Sequence, residues 1–269
     1  MKKIVFHIKN FLVNLSILRL VLIPVLKKLN FEFRWKHDLT NRPFFLQSYY
    51  HKGYWFYGQN REKDELDFFQ KFIVRGDNVL EVGTHIGYLT QYFEHLVSDS
   101  GKVLAIEPTP YSLSYLQKNV LPSTIIIEKA ASNNCGQIDF YIEDFGGFTN
   151  SIIGKFTQSQ NEYHEKSQHI YSKVKSIKVN TDTLDSICSE NNFLPNFIKI
   201  DVEGAEYDVL KGAKKILKNT NALMVEISKN KHEVFDILAN SGFKCLAELK
   251  NSNNFFFVKN DLAKSFALF

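Results

Sequence analysis

Along roughly the last two thirds of this chain, hydrophobic and polar residues recur with two different periods, one typical of strands and one typical of helices. Short apolar runs predict strands at Val79–Val82, Val103–Glu107 and Ile125–Glu128. Longer segments with helical spacing separate them, at Tyr88–Val97 and Tyr111–Asn119. Strands that alternate with helices in this way predict a parallel sheet in an α/β fold.

The same alternation continues toward the carboxyl end of the chain. Further strands are predicted at Gln137–Ile142, Val174–Val179, Phe197–Asp201, Ala222–Ile227, Gly242–Leu246 and Phe255–Val258, and a helix begins at Thr183. The last two strands predict a terminal hairpin that closes a seven-stranded sheet with one antiparallel member. Residues 144–174 are polar, contain glycine and show little periodicity, which is typical of a lid or binding loop.

The first 31 residues predict a helix, because apolar residues recur there at spacings of three and four between Ile8 and Leu29. Pro24 should kink or end this helix. The apolar run from Phe11 to Leu26 is shorter than the roughly 20 residues that a membrane span needs, and it carries Arg19. Three interpretations stay open: packing on the body or on a second subunit, contact with an anionic membrane surface as a basic interfacial helix, and a true span.

Residues 31–60 are rich in aromatic side chains and irregular in pattern, and a helix at Glu62–Phe72 then leads into the first strand. The aromatic side chains either pack over the core as a lid or stack on a sugar or base. We therefore divide the chain into an N-terminal helical and aromatic extension, residues 1–60, and a main domain, residues 61–269.

Composition narrows the classes of protein further. The chain has 269 residues, 44% of them hydrophobic, and a formal net charge of only +4, which does not favour nucleic-acid binding. Residues 1–31 contain six Lys or Arg and no acidic residue, so this segment supplies the whole basic excess. The three cysteines are far apart and show no metal-binding spacing, which favours a reduced, cytoplasmic compartment.

The segment VLEVGTHIGYLT, from Val79 to Thr90, places a glycine-containing turn after the first predicted strand. Gly83 and Gly87 allow a sharp turn and a close approach of the backbone to a ligand. Their spacing is GxxxG rather than the GxGxxG of dinucleotide-binding proteins, and no P-loop motif occurs. A nicotinamide dehydrogenase and a nucleoside-triphosphate site are therefore disfavoured.

Acidic residues stand at the ends of the predicted strands, at the sheet edge where ligands bind in open α/β folds. Glu107, at the end of the second strand, is placed to accept hydrogen bonds from ribose hydroxyls. Glu81 suits a cationic ligand such as S-adenosylmethionine (SAM), which carries an ammonium and a sulfonium. Around them we predict a cofactor site formed by Glu81, Gly83, Thr84, His85, Gly87, Tyr88, Glu107, Pro108, Lys129, Ala130 and Asp201.

Asp201 and Glu226 end neighbouring strands, so their carboxylates are expected to converge near the reacting centre. They could bind a divalent cation, accept a proton or orient the amine of the cofactor. Our candidates for the catalytic proton acceptor are Asp201 first, then His85 and His232. Lys199, inside its strand, is expected to point toward a face of the sheet and to have a structural role.

The order of VLEVGTHIGYLT, VLAIEPTP, KAASNNCGQIDFYI, NTDTLDSI and FIKIDVEGAEYDVLKGA resembles the FkbM-type SAM-dependent methyltransferases. The resemblance covers roughly residues 62–259, and KIDVEGAE is its most diagnostic part. It implies a Rossmann-like class I methyltransferase fold, SAM as the cofactor and transfer of a methyl group to a hydroxyl oxygen. Here Thr84-His85 replaces the Ala-Asn of the family motif, so His85 either transfers a proton or only forms the turn.

The resemblance also bears on the acceptor. Sugars of surface glycans are the expected class, nucleotide-linked or lipid-linked, with a small natural product or a lipid as the alternative. A lipid-linked acceptor would fit peripheral contact of residues 1–31 with the inner membrane face. A base-modifying methyltransferase is disfavoured, because no Asn-Pro-Pro-Tyr-like motif occurs. A non-catalytic assembly module on the same fold is the alternative of another class.

Overall fold

A computed structural model of the chain describes residues 25, 27–58, 63–143, 174–249 and 252–262. The helix predicted for the N-terminal segment lies almost wholly outside these residues, and so does the loop predicted between residues 144 and 173. Among the described helices, none combines the length and the apolar character needed to cross a bilayer. The three cysteines are free thiols.

Helices and strands alternate as the sequence pattern predicts. The helices are α1 Lys52–Tyr57, α2 Lys63–Phe72, α3 Tyr88–Val97, α4 Pro110–Asn119, α5 Leu184–Glu190, α6 Glu206–Lys211 and α7 Lys231–Asn240. The strands are β1 Glu32–Lys36, β2 Pro43–Gln47, β3 Asn78–Val82, β4 Lys102–Ile106, β5 Ile125–Ile127, β6 Ala130–Ala131, β7 Gly136–Glu143, β8 Val174–Asp182, β9 Phe197–Ile200, β10 Ala222–Glu226, β11 Phe243–Glu248 and β12 Asn254–Lys259.

Within the described ranges, a central sheet of seven strands has the order β11-β12-β10-β9-β3-β4-β5. β12 runs antiparallel to both of its neighbours, and the other neighbouring pairs are parallel. The predicted seven-stranded sheet with one antiparallel strand is thus confirmed. Because the order reverses at β3, the carboxyl ends of β3, β4 and β9 open onto a crevice, where ligands bind in this architecture.

Alternate residues of the central strands pack into two separate hydrophobic clusters, one on each face of the sheet. On β3, Leu80 and Val82 join the first cluster and Val79 joins the second. Helices α5, α6 and α7 cover the first face, and α2, α3 and β2 cover the second. On the second face the strands turn polar near their carboxyl ends, at Glu81 on β3 and Lys199 on β9.

Residues 32–57 form regular structure that the sequence pattern did not predict. β1 and β2 pair as an antiparallel hairpin, and α1 follows. Asn119, at the end of α4, exchanges both backbone hydrogen bonds with Phe45 through its side-chain amide, at 2.6 and 3.0 Å. Arg42 forms an ion pair with Glu94 of α3. These contacts join the hairpin to the main domain.

Candidate active site

A cavity of about 420 Å³ opens at the carboxyl ends of β3, β4, β9 and β10. This volume falls within the range of roughly 300–1,000 Å³ that small-molecule sites occupy. Its walls include the residues after these strands, together with Tyr54 of α1 and Ala130 of β6. The cavity therefore lies where the sequence pattern predicts the ligand.

The turn after β3 brings two strand ends into direct contact. Gly83 has a φ of +83°, and a Cβ built on it would lie 1.8 Å from the carbonyl oxygen of Asp201. Only glycine fits there, because any side chain would push the ends of β3 and β9 apart. Gly87 caps the N-terminus of α3 with a φ of +87° and packs against Leu116, so its role is in the turn and not on the cavity wall.

Glu107 is held in one orientation by donors from two turns. Its Oε1 accepts hydrogen bonds from the backbone N–H of Thr109 at 3.0 Å and from the hydroxyl of Thr109 at 2.5 Å. Its Oε2 accepts one from the backbone N–H of His85 at 3.0 Å. A carboxylate offers about four acceptor positions, so capacity remains for a ligand hydroxyl. Burial raises the pKa of Glu107 to about 7.

A chain of polar contacts links β3 to β9 across the floor of the cavity. The hydroxyl of Thr90 donates to Oε2 of Glu81 at 2.6 Å. The ammonium of Lys199 lies 4.0 Å from Oε1 of Glu81 and 3.0 Å from Oδ2 of Asp201. Of these groups the Asp201 side chain is the most open, with 30% of its surface exposed. Asp201 is thus more accessible to a ligand than Glu81 or Lys199.

Further carboxyl groups surround Asp201 and hold their protons. The negative charge of Asp201, together with burial, raises the pKa of Glu226 to about 10, and the two side chains share a hydrogen bond. Burial, with Asp201 and Glu206 nearby, raises the pKa of Glu203 to about 8. Burial also raises the pKa of Glu206 to about 7. Near neutral pH, Glu226 is therefore a protonated donor beside Asp201.

His85 contacts the N-terminal extension through its ring. It has a left-handed backbone with a φ of 50°, and its Nδ1 lies 2.8 Å from the hydroxyl of Tyr54. His51 of the extension packs edge-on against the His85 ring with centroids 5.6 Å apart. Burial lowers the pKa of His51 to about 2, so that neighbour is neutral.

The structure brings most of the predicted site residues together, but not all of them. Those on the cavity wall are Glu81, Gly83, Thr84, His85, Tyr88, Glu107, Pro108, Ala130, Asp201 and Glu226. Lys129 points elsewhere and pairs with Asp182 at 2.7 Å. His232 lies on α7 with 87% of its side chain exposed and pairs with Asp236, so the structure does not place it at the cavity.

Five polar side chains on the wall are not among the predicted site residues. They are Tyr54, Glu65, Lys199, Glu203 and Asn254. Lys199 and Glu203 had a usable signal, because each lies two residues from Asp201. Tyr54, Glu65 and Asn254 come from segments distant in sequence, and no local pattern connects them to the strand ends.

Strand order, the glycine turn and the acids after β3, β4 and β9 together define a Rossmann-like fold of the class I methyltransferase type. The family profile of the Methyltransferase FkbM domain matches residues 81–245, which is more than half of the chain. The chain therefore belongs to the FkbM methyltransferase family.

Two relatives show the range of this similarity. 2-O-methyltransferase NoeI of Sinorhizobium fredii is 29% identical over 158 residues, which cover 56% of this chain and 63% of that protein. Hexuronic acid methyltransferase AglP of Haloferax volcanii is 28% identical over 156 residues, or 56% of either chain. The chain thus spans less than two thirds of the length of these curated relatives.

A solved structure provides a further comparison. A SAM dependent methyltransferase from Aquifex aeolicus superposes with a TM-score of 0.41 at 16% identity, covering 78% of this chain and 96% of that one.

Proposed function

We propose that this chain is a SAM-dependent O-methyltransferase that acts on a sugar hydroxyl. The observation that carries this proposal is the set of acids at one cavity: Glu81 near the end of β3, Glu107 after β4 and Asp201 after β9. The two acids on the β3 and β4 side suit a ligand with an ammonium and a ribose, and the third lies beside them at the next strand end. Membership of the FkbM family supports the same activity.

The residues on the wall fit SAM by their chemistry. Glu107 would accept from the ribose hydroxyls and Glu81 would face the ammonium, while Gly83 and Thr84 form the backbone of the turn. Two buried polar atoms on the wall, Oγ1 of Thr84 and Oδ1 of Asn254, have no hydrogen-bond partner among the described residues and are suited to a polar ligand. When bound, SAM supplies a methyl group on a sulfonium, which is already activated for transfer.

The protein then has to place the acceptor and remove its proton. An alcohol has a pKa far above neutral, so a positioned base assists its reaction. Asp201 is our first candidate for this base, since its side chain is open to the cavity and one of its oxygens accepts a hydrogen bond from the Lys199 ammonium. His85 is the second candidate. We set His232 aside, because its exposed position on α7 keeps it away from the cavity wall.

We assign Asp201 and Glu226 to proton transfer rather than to binding a divalent metal. Their carboxyl groups are hydrogen-bonded to each other, an arrangement that needs a proton between them. Among the described side chains, no group of three or more His, Cys, Asp or Glu has the arrangement of a metal site.

The sugar acceptor is proposed from the two named relatives, a 2-O-methyltransferase and a hexuronic acid methyltransferase. We propose a glycan or glycan precursor as the acceptor class. Residues 1–60 form an extension to the methyltransferase domain of residues 61–269, and its aromatic residue Tyr54 reaches the cavity. The basic residues 1–31 would bring the enzyme to an anionic membrane surface if the sugar is lipid-linked.

Calorimetric titration of the purified protein with SAM, and with NADH in parallel, tests the proposal. We expect micromolar SAM binding and no NADH binding. Glu107→Ala should lose SAM binding, whereas Asp201→Asn should keep it and lose methyl transfer to acceptor sugars. Absence of SAM binding in a folded protein would contradict the methyltransferase function. Near-normal transfer by Asp201→Asn would remove Asp201 from the chemistry.

A further inference from the structure

Lys199 is a buried lysine in the middle of the central sheet. It is aligned with Glu81 on β3 and with Met224 on β10. Only 4% of the residue is exposed, yet its ammonium lies on the floor of the cavity, 3.0 Å from Asp201 and 4.0 Å from Glu81. A buried ammonium is costly unless it is paired, so this position requires both carboxylates.

Carboxyl groups outnumber cations around this lysine. Lys199 is the one Lys or Arg on the cavity wall within the described ranges. The charged and titratable groups that face the Lys199–Asp201 pair come from every element packed around it: Glu81 of β3, Glu107 after β4, Glu203 after β9, Glu206 of α6 and Glu226 of β10. Without a cation here, mutual repulsion would favour protonation of all of them.

The distances single out Asp201 as the group that stays ionised. Its Oδ2 accepts a hydrogen bond from the Lys199 ammonium at 3.0 Å. The charge of Lys199 also acts to lower the pKa of Glu203 and of Glu226, but burial and the charge of Asp201 raise both above their ordinary values. The negative charge of Asp201 is the largest cause of the raised pKa of Glu226. The protons of the cluster therefore reside on its neighbours, and the negative charge resides on Asp201.

We propose that Lys199 is a positioning residue, which keeps Asp201 ionised and oriented toward the reacting centre. This inference rests on the proposed function, because it assigns to Lys199 the control of the proposed base. Lys199 acts through Asp201 and need not touch the acceptor, since only 5% of its side chain is exposed against 30% for Asp201. A ligand in the cavity therefore interacts more strongly with the negative charge of Asp201 than with the positive charge of Lys199, which lies deeper.

The test uses two ligands that differ by one positive charge. SAM carries a methylated, cationic sulfur, and S-adenosylhomocysteine carries a neutral sulfur, so the ratio of their affinities measures the negative charge near the methyl group. Calorimetry gives this ratio without any acceptor. Both ligands carry the same ribose, beside which we place Glu107. A change in the protonation of Glu107 should therefore affect the two affinities about equally and leave their ratio nearly unchanged.

At pH 6.5, we expect Lys199→Met to lower the preference for SAM at least fivefold, because Asp201 then takes up a proton. At pH 8.5 the preference should recover, as Asp201 loses that proton again. Lys199→Arg should keep the preference of the unmodified protein. In an Asp201→Asn background, Lys199→Met should change the ratio less than twofold. Lys102→Met, an exposed lysine at the start of β4, is the matched control and should have no effect.

An unchanged or increased preference for SAM in Lys199→Met at pH 6.5 would overturn the inference, because a lysine of purely structural value would leave the ratio alone at that pH. If Lys199→Met does not fold, Asp201→Asn decides by itself: it should lower the preference at pH 6.5 and at pH 8.5, and an unchanged ratio overturns the inference. Failure of the unmodified, folded protein to bind either ligand would instead contradict the proposed function.

Discussion

At the scale of single residues, the site is defined by positions that tolerate one residue type for a physical reason. Gly83 could be identified from the sequence, because a glycine after a first strand marks a turn. The physical reason for a glycine at this position could not be read from the sequence. A side chain on Gly83 would collide with the carbonyl oxygen of Asp201, which lies just after β9 and more than a hundred residues later in the chain. The local role of a residue is thus more predictable than its contacts.

Glu226 gives a prediction at this scale, because its proton links stability to pH. In the folded protein its pKa is about 10, against 4.5 for an unperturbed glutamate. Between these values the folded state keeps a proton that the unfolded state releases, so stability falls as pH rises. Glu226→Gln cannot ionise and keeps a donor toward Asp201.

We therefore expect Glu226→Gln to stabilise the protein by about 1–3 kcal/mol relative to the unmodified chain at pH 8.5, and by much less at pH 5. Thermal unfolding at both pH values measures this difference. Glu248→Gln is the control, since that side chain is 60% exposed and should show no such pH dependence. Equal effects of Glu226→Gln at the two pH values would contradict the protonated state of Glu226.

At the scale of elements, the repeating strands and helices were predictable because their apolar spacing is strong. The helix at Tyr88–Val97 has the predicted bounds. The hairpin of β1 and β2 was not predicted. β1 alternates polar and aromatic residues over only five positions, and in β2 the consecutive Phe44, Phe45 and Leu46 interrupt the alternation that marks a half-buried strand. Its contacts with α3 and α4 are long-range, which no local pattern encodes.

His37, which follows β1, contacts the start of α3 at Tyr88 and so joins the hairpin to the sheet domain. We expect this contact to weaken as the pH falls. The Nδ1 of His37 accepts from the backbone N–H of Leu39 at 3.1 Å, so its Nε2 donates to the carbonyl of Tyr88 at 2.9 Å. The contact at Nδ1 requires the neutral ring, because a protonated Nδ1 cannot accept a hydrogen bond. Burial lowers the pKa of His37 to about 4. Below the unfolded pKa of about 6.5, only the unfolded state takes up a proton, so stability is lost as pH falls.

We expect His37 to lower the free energy of unfolding by up to about 1.4 kcal/mol for each unit that the pH falls between 6.5 and 4. Denaturant unfolding at pH 7.5 and pH 5 measures it, and His37→Gln should lose less stability between these two values than the unmodified chain. His232→Gln, on an exposed side chain, is the control. An identical pH dependence in His37→Gln would show that His37 does not hold the hairpin in its neutral form.

At the scale of the whole molecule, the cavity combines segments from inside and outside the family match of residues 81–245. The turn at Gly83 and the residue Asp201 lie inside the match, and both could be identified from the sequence. Outside it lie Tyr54 and Glu65 on one side and Asn254 on the other. The segments that flank the family match therefore supply part of the cavity wall that the match itself does not contain.

The contact between Glu65 and Asn254 provides the prediction at this scale. The Asn254 side chain donates to Oε1 of Glu65, and both residues are buried. Asn254→Ala would remove a partner of a buried carboxyl group, which should lower the free energy of unfolding by about 1–3 kcal/mol. Asn253→Ala, at the exposed neighbouring position, should change it by less than about 0.5 kcal/mol. Denaturant unfolding of the two variants compares these values, and equal losses would contradict a specific role of the buried contact.

The position of β12 also sets the order in which the cavity can form during synthesis. This strand lies between β10 and β11, and its first residue contacts a glutamate 189 residues earlier. A growing chain on the ribosome can form the turn at Gly83 early, but it cannot complete the sheet or this wall of the cavity until residues 254–259 have emerged. The cavity is therefore expected to reach its final shape only after β12 has left the exit tunnel, long after the glycine turn has formed.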